Sequence, residues 1–225
     1  MTHKDYSEKS DGNMYLSGEG FDPENVANRE RYFGRIGLTE KKIVAANLIH
    51  GTHVAIIDTS SPEFLLDTDA LVTKEKNIVL TLTGADCFPV YFEDAAHDII
   101  GLVHCGWRGI TGGILRETIE IIESLGGTLG NISVTIGPGI CGKHFEIKED
   151  ILGNFSEYPE ALIREGERVF IDLRTIMKIQ LERLGIPTEN TIDSGECTQC
   201  LTGKYFSYRR DKPEQLETQV AHIVQ

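Results

Sequence analysis

Two histidines and one cysteine occur where predicted strands give way to turns. His50 precedes Gly51, Cys87 follows a Thr-Gly-Ala-Asp turn, and His104 ends an apolar stretch. Zinc binds imidazole and thiolate together, and catalytic zinc sites keep three protein ligands with one open position. The three residues are far apart in the chain, so no local spacing motif supports them. The alternative is that Cys87 packs as a small apolar residue while each histidine hydrogen-bonds within a loop.

Three arginines have sequence contexts suited to holding an anion. Arg108 lies in the glycine-rich stretch 106–109, which we expect to precede a helix starting near residue 111, where backbone N–H groups point outward. Arg209 and Arg210 are adjacent and follow an aromatic pair, so they could clamp phosphate or carboxylate. The alternatives are a tight turn with Trp107 in the core and a solvated strand edge.

The other four cysteines carry weaker signals. Cys197 and Cys200 form a lone CxxC pair, which cannot complete a structural zinc site by itself and lacks a redox βαβ context. We therefore interpret both as free thiols. Cys105 and Cys141 could be additional ligands or reactive thiols, but packing is the simpler role.

Short strands mixed with helices surround these residues without regular alternation. Hydrophobic periodicity predicts helices over residues 25–36, 113–125 and 173–184, and strands over residues 43–48, 54–57, 77–82, 88–92, 99–103 and 132–136. This pattern predicts an α+β fold, with mixed β-sheets flanked by helices in a single compact domain. We expect that domain to span residues 1–225, with residues 1–20 as an N-terminal arm that shows no sustained periodicity.

Composition limits the classes of partner. The 225 residues are 40% hydrophobic and 25% charged, with a net charge of −13. An acidic surface repels phosphate backbones, so nucleic acid is not an expected partner. The N-terminus is polar, and the apolar runs are too short to cross a bilayer. We therefore expect a cytoplasmic protein with reduced thiols and no membrane partner.

Six segments occur together in the order found in one family. They are residues 47–51 (NLIHG), 69–73 (DALVT), 84–90 (GADCFPV), 104–109 (HCGWRG), 136–140 (IGPGI) and 206–210 (FSYRR). The chain resembles, over roughly residues 20–210, the YfiH-like family. That family was long labelled multicopper polyphenol oxidoreductase or laccase-like, and is now understood as purine nucleoside phosphorylases.

The resemblance implies a zinc cofactor held by His50, Cys87 and His104. It implies phosphorolysis of adenosine, inosine, guanosine or methylthioadenosine, with adenosine deamination as a further activity. The substrates would be a purine nucleoside and phosphate. The implied fold is mixed α+β, similar also to the catalytic domain of cytotoxic necrotizing factor. The chain departs from the family where the Thr-Arg-x-Gly-Gly-Val-Ser loop is replaced by residues 8–14, and where Cys105 follows His104 in place of alanine.

These two reactions suggest roles for the polar residues. Phosphorolysis needs a cation to hold phosphate, and Arg108, Arg209 and Arg210 are the candidates. Deamination needs zinc to activate water and a nearby carboxylate to move the proton. Asp86 adjoins Cys87, so it is our candidate for that catalytic role, and its alternative role is to orient the turn or a ligand imidazole.

Three other functions are considered. A thiol amidohydrolase would use Cys87 as nucleophile and His104 as base, acting on a small amide or a peptidoglycan precursor. A copper laccase would need more histidine ligands than the seven scattered along this chain. An inactive nucleoside-binding protein would bind ligand without turnover.

Overall fold

The computed structural model describes residues 2–18 and 20–225, and these form three β-sheets and six α-helices. Strands are numbered in chain order. One sheet has the order β1 (His3–Tyr6), β14 (Gln219–Val224), β6 (Ile78–Gly84), β2 (Lys42–Ala46) and β4 (Phe64–Leu65). A second has the order β13 (Thr191–Asp193), β9 (Ser133–Ile136), β7 (Phe88–Asp94), β8 (Ile99–Cys105), β5 (Ala70–Thr73) and β3 (Val54–Ile57). The third has the order β10 (Glu146–Ile147), β12 (Arg168–Ile171) and β11 (Leu162–Glu165).

The helices are α1 (Pro23–Arg35), α2 (Trp107–Gly112), α3 (Ile114–Ser124), α4 (Glu149–Leu152), α5 (Leu173–Arg183) and α6 (Tyr208–Asp211). Helix α1 begins where Asp22 accepts hydrogen bonds from the backbone N–H groups of Glu24 and Asn25. The apolar side chains of α3 and α5 join the core beneath the six-stranded sheet. No helix in the described ranges has the length and apolar character needed to span a bilayer.

Three apolar clusters define the layers of this α+β domain. One lies between the six-stranded sheet and helices α3 and α5. A second lies between the two large sheets, and the third lies between the five-stranded sheet and α1. Sheets that are apolar on both faces need a cover on each side. The layer order is therefore helix, sheet, sheet, helix, as the mixed pattern of strands and helices predicted.

The alternation of side chains along β8 determines which of its residues face the gap between the two large sheets. Alternate residues of a strand face opposite sides of a sheet. Ile99, Val103 and Cys105 belong to the cluster beneath helices α3 and α5. Ile100 and Leu102 belong to the cluster between the sheets. His104 follows this second set, so it faces the gap between the sheets while Cys105 is fully buried on the other side.

The predicted strands and helices are present with boundaries shifted by a few residues. The sequence did not predict β1, β4, β5, β13, β14 or the three-stranded sheet. Part of the predicted N-terminal arm is ordered against the fold, because β1 pairs antiparallel with β14 and Met14 is fully buried. Strands β1, β5 and β14 are stabilised by partners that are distant in the chain, which local periodicity does not record. Strands β11 and β12 form a local hairpin that the sequence prediction missed.

Candidate metal centre and its cavity

His50, Cys87 and His104 converge at one end of the two large sheets. Their donor atoms lie within 4.8 Å of one another, and Cys87 Sγ is 3.8 Å from His50 Nε2. The imidazole rings of His50 and His104 are nearly perpendicular, with centroids 4.8 Å apart. His50 is exposed, Cys87 half-buried and His104 buried. The structure therefore brings together the three donors that the sequence placed at strand ends.

Asp69 organises this cluster, although the sequence analysis gave it no role. Its carboxylate accepts hydrogen bonds from the backbone N–H groups of Ile49, His50 and Gly51 at 2.8 to 3.2 Å. The same carboxylate lies 2.9 Å from His104 Nδ1, which leaves Nε2 to face the cluster. Asp69 is fully buried. A ligand histidine commonly bonds a carboxylate through its other nitrogen, and this fixes the ring's tautomer and orientation.

Gly106 leaves the space that His50 fills. A Cβ atom on Gly106 would lie 2.7 Å from His50 Cδ2 and 3.2 Å from Cys87 Sγ. His50 itself adopts the left-handed φ of 60°, which non-glycine residues rarely occupy. The three hydrogen bonds to Asp69 hold this backbone segment in place. The cluster thus depends on a small residue beside it and a buried carboxylate below it.

The protonation of the cluster reflects its burial and its mutual charges. Burial alone would raise the pKa of Cys87, but His104 and then His50 lower it to about 6. Burial alone would lower the pKa of His104, but Cys87 and Asp69 raise it to about 9. Both shifts favour a Cys87 thiolate beside a His104 imidazolium. A thiolate is the form of cysteine that binds metal.

Asp86 precedes Cys87 in the turn between β6 and β7, and its backbone has a φ of 88°. Its carboxylate accepts hydrogen bonds from the hydroxyls of Thr198 and Ser207 at 2.6 and 3.1 Å. It also accepts one from the backbone N–H of Arg209 at 2.7 Å. The side chain is buried and directed at the segment around α6. This geometry favours the orienting role over the proton-transfer role.

A cavity of about 400 Å³ opens beside the three donors. Its lining includes aromatic and cationic side chains, among them Tyr15, Trp107, Arg108, Phe145, Tyr208 and Arg209. The Arg108 guanidinium lies over the Trp107 ring at 4.4 Å. Arg209 donates from Nη1 to the Glu146 carbonyl at 2.9 Å. Among the described residues, the Arg108 guanidinium and the Nε and Nη2 groups of Arg209 have no hydrogen-bond partner.

The structure separates Arg210 from this cavity. Its guanidinium donates to the backbone carbonyls of Thr198, Gln199 and Tyr205 at 2.8 to 3.1 Å, and it pairs with Asp211. The expected substrate contact of Arg210 is therefore corrected to a structural role, because its donors are occupied by the protein.

The helix expected to start near residue 111 begins earlier. Helix α2 starts at Trp107, so residues 107–109 form its first turn and only Gly106 precedes it. Trp107 is half-buried and its ring packs against Phe155 at 5.9 Å between centroids. This side chain therefore packs against the core, as one interpretation of the turn expected, and it also lines the cavity.

A second group of potential metal ligands lies on the far side of Asp86. Cys141, His144, Cys197 and Cys200 have donor atoms within 4.8 Å of one another. From the sequence, Cys197 and Cys200 were interpreted as free thiols in a lone CxxC pair, and His144 had no predicted role. Chain separation hid this arrangement, because His144 is more than 50 residues from the CxxC pair. The sequence signal was Cys141 three residues before His144, a second short chelating pair.

The fold and the donor set define an α+β protein with a candidate metal centre that opens into a ligand-sized cavity. The chain belongs to the multi-copper polyphenol oxidoreductase laccase family, whose model matches residues 7–224.

Two curated relatives and one solved structure illustrate this membership. The purine nucleoside phosphorylase of Deinococcus radiodurans is 33% identical over 201 residues, covering 88% of this chain and 77% of the relative. Adenosine deaminase RL5, from an unknown prokaryotic organism, is 29% identical over 190 residues, covering 78% and 72%. The crystal structure of Bacillus licheniformis YfiH has a TM-score of 0.92 at 22% identity, covering 100% of this chain and 93% of that one. This last likeness supports the fold.

Proposed function

We propose that this protein is a zinc-dependent purine nucleoside phosphorylase, with adenosine deamination as a second activity of the same site. One observation carries the proposal. A single cavity adjoins both the His50, Cys87 and His104 donor set and the guanidinium groups of Arg108 and Arg209, which keep N–H groups without a partner among the described residues. The names of relatives at 33% and 29% identity support the same two reactions.

The donor set fits zinc. Two imidazoles and a thiolate suit this ion, and three protein ligands leave one position open, as in catalytic zinc sites. The separation of 3.8 Å between Cys87 Sγ and His50 Nε2 is close to the edge of a tetrahedral zinc site, about 3.6 Å for standard bond lengths. When bound, zinc would supply Lewis-acid chemistry at the floor of the cavity. The description as a multi-copper protein fits poorly, because several copper ions need several histidine-rich sites, whereas the described residues form one His₂Cys group and one Cys₃His group.

The cavity suits a purine nucleoside in size and in chemistry. Its volume of about 400 Å³ lies within the usual range for small-ligand pockets. Trp107, Phe145 and Tyr208 supply aromatic surface on which a purine ring can stack. Tyr15 and Leu16 complete the wall from the N-terminal arm. The base preference among adenosine, inosine, guanosine and methylthioadenosine would be set by these side chains.

Two arginines that line the cavity, Arg108 and Arg209, could bind phosphate, although the chain as a whole is acidic. A planar guanidinium binds phosphate through two parallel hydrogen bonds. In phosphorolysis the C1′–N bond breaks and its electron pair goes to the purine nitrogen, which then takes up a proton. A phosphate oxygen forms the new bond to C1′, giving ribose 1-phosphate. Arg108 and Arg209 would hold the phosphate in line with C1′, which lowers the entropic cost of the encounter.

Asp86 would position the Cys87 turn and Arg209 relative to each other. Because its carboxylate accepts the backbone N–H of Arg209, it links the Cys87 turn to a phosphate-binding arginine. The side chain would therefore act through its neighbours. In deamination, where a carboxylate must also transfer a proton, its three hydrogen bonds leave Asp86 poorly available.

Product analysis tests the proposal. Zinc-loaded protein incubated with adenosine should release adenine and ribose 1-phosphate only when phosphate is present. Inosine formed from adenosine without phosphate would report the deaminase activity. Free ribose at equal rates with and without phosphate would contradict phosphorolysis. Tight nucleoside binding without any product would indicate an inactive binding protein.

One observation supports a second candidate function. Cys87, His104 and Asp69 are arranged in space like the nucleophile, the base and the orienting carboxylate of a thiol hydrolase. The Asp69 carboxylate lies 2.9 Å from His104 Nδ1. In that reaction the Cys87 sulfur would attack an amide carbonyl, the amine would leave with a proton from His104, and water would cleave the thioester. The dependence of activity on zinc distinguishes the two functions, because a thiolate bound to zinc cannot act as a free nucleophile. A chelator should abolish phosphorolysis, whereas it should activate a thiol amidohydrolase.

A further inference from the structure

Four side chains outside the candidate active site have the arrangement of a closed metal site. We propose that Cys141, His144, Cys197 and Cys200 bind a second zinc ion, in a structural Cys₃His site that ties the loop after β9 to the segment before α6. This site does not depend on the proposed catalytic function, and its ligands are distinct from those of the first centre.

The distances match a tetrahedron around one ion. His144 Nδ1 lies 3.3 Å from Cys141 Sγ, 3.7 Å from Cys197 Sγ and 3.6 Å from Cys200 Sγ. Zinc bonds of about 2.3 Å to sulfur and about 2.0 Å to nitrogen predict sulfur–nitrogen edges of about 3.6 Å. Four protein donors complete the coordination shell, which is the composition of structural zinc sites. Three thiolates also select zinc over magnesium or calcium.

The backbone already holds the two ligand pairs together. Each pair has two intervening residues, as in the short chelating loops of zinc-binding modules. The Cys141 backbone N–H donates to Cys197 Sγ at 3.3 Å. This hydrogen bond would stabilise the Cys197 thiolate in addition to the metal bond. Gly139 and Cys197 form a parallel bridge, and Thr198 N–H donates to the Gly139 carbonyl at 3.3 Å. The site is thus preorganised by backbone pairing between the two segments.

The same two segments contact the catalytic side of the molecule. Thr198 lies next to Cys197 and donates its hydroxyl proton to Asp86 at 2.6 Å. Arg209 donates to the Glu146 carbonyl, two residues beyond His144. Metal binding at the Cys₃His site would therefore brace both Asp86 and Arg209. This gives the site a structural purpose that a set of free thiols would lack.

Zinc counting in a background without the first centre tests the proposal. Full-length Cys87→Ala protein, purified without added metal, should contain one zinc per chain. The double variant Cys87→Ala/Cys200→Ser should contain none, and its melting temperature should fall. Cys87→Ala/Cys105→Ala is the matched control, since Cys105 is buried outside both donor sets, and it should keep the zinc.

Two measurements keep the test decisive if the double variant fails to fold. In Cys87→Ala protein, a mercurial that blocks thiols should release one zinc, measured with a colorimetric chelator. Cobalt(II) in place of zinc should give tetrahedral d–d bands with thiolate charge-transfer absorption. Absence of stoichiometric metal from Cys87→Ala, or two of its four remaining cysteines found in a disulfide, would overturn the proposal. An unchanged zinc content in the Cys200→Ser double variant would do the same.

Discussion

A methyl group on Gly106 would lie 2.7 Å from Cδ2 of His50, closer than two carbon atoms can approach. Gly106→Ala must therefore displace His50, and we expect this variant to lose the zinc of the first centre and at least 90% of the phosphorolysis rate. Gly153→Ala is the matched control, because nothing lies within 4 Å of a Cβ there. It should keep both properties. Full zinc and activity in Gly106→Ala would show that His50 is not a ligand.

Asp69 positions two of the three proposed zinc ligands through one carboxylate. Asp69→Asn replaces an acceptor oxygen by an N–H donor that faces backbone donors or the His104 ring. We expect zinc affinity at the first centre to fall about 10–100-fold, as for other partners of ligand histidines. Competition with a chromophoric chelator, in a Cys200→Ser background, would measure this affinity.

Asp94→Asn separates this effect from general destabilisation. Asp94 is equally buried, contacts His97 Nδ1 at 2.8 Å and accepts the Thr128 backbone N–H, but its side chain makes no hydrogen bond to His50, Cys87 or His104. Both asparagine variants should melt at lower temperature, and only Asp69→Asn should lose zinc affinity. Equal losses of affinity would refute the positioning role of Asp69.

Arg209 and Arg210 are adjacent in the chain, but we expect their substitutions to change different properties of the protein. Arg209→Gln removes a cation from the cavity wall, so the KM for phosphate should rise about tenfold, since a charged hydrogen bond contributes about 1.5–3 kcal/mol. Arg210→Gln leaves buried carbonyls without donors and should lower the free energy of unfolding by about 2 kcal/mol. Steady-state kinetics and urea denaturation of both variants would measure this. The reverse pattern would place Arg210 at the substrate.

At the scale of elements, strand β14 contains a buried histidine that makes the fold sensitive to acid. His222 is fully buried between His3 and Tyr32, and burial, reinforced by the charge of His3, lowers its pKa to about 3. An unfolded histidine has a pKa of about 6.5, so the unfolded state binds more protons between these values. Stability is therefore lost as the pH falls from about 6.5 towards 3.

Between pH 7 and pH 5 this histidine should cost about 2 kcal/mol of stability. His222→Gln cannot titrate, so its free energy of unfolding should fall less over that interval, by about this amount. Urea denaturation of both proteins at the two pH values gives the comparison, in which all other groups cancel. Parallel losses of stability in the two proteins would mean that His222 is protonated in the folded state.

The elements that the sequence predicted are those whose stability is local or whose apolar pattern is strong. Helices α1, α3 and α5 and strands β6 to β9 were of this kind. Strands β11 and β12 were missed although they form a local hairpin around Gly166 and Glu167. The other missed strands depend on distant partners. Strand β1 pairs with the other end of the chain, and the three-stranded sheet joins residues 146–147 to 162–171. Periodicity in a short window contains no information about such pairings.

At the scale of the whole molecule, the three donor residues could be predicted from the sequence, but the residues that hold them in position could not. His50, Cys87 and His104 were found from residue chemistry and family resemblance. Asp69 was missed because a buried aspartate gives no local signal of the amides it will accept. The Cys₃His cluster was missed because the parallel bridge between Gly139 and Cys197, which creates it, is a tertiary contact.

The two clusters change the expected metal content of the protein. The first centre alone implies about one zinc per chain, and the second raises the expectation to about two. Asp86 lies between them, adjacent in the chain to Cys87 and hydrogen-bonded to Thr198. The molecule therefore has one centre open to a cavity and one closed by four side chains.

The central claim is that the open centre and the phosphorolysis site are the same. The most direct test is the rate of phosphate-dependent ribose 1-phosphate release from adenosine by Cys87→Ala, compared with unmodified protein at equal folded concentration. We predict that Cys87→Ala keeps one zinc per chain in the closed site, remains folded, and forms ribose 1-phosphate at less than about 1% of the original rate, a loss of about 2.7 kcal/mol in transition-state stabilisation. Ribose 1-phosphate formation at an undiminished rate by this variant would contradict the account.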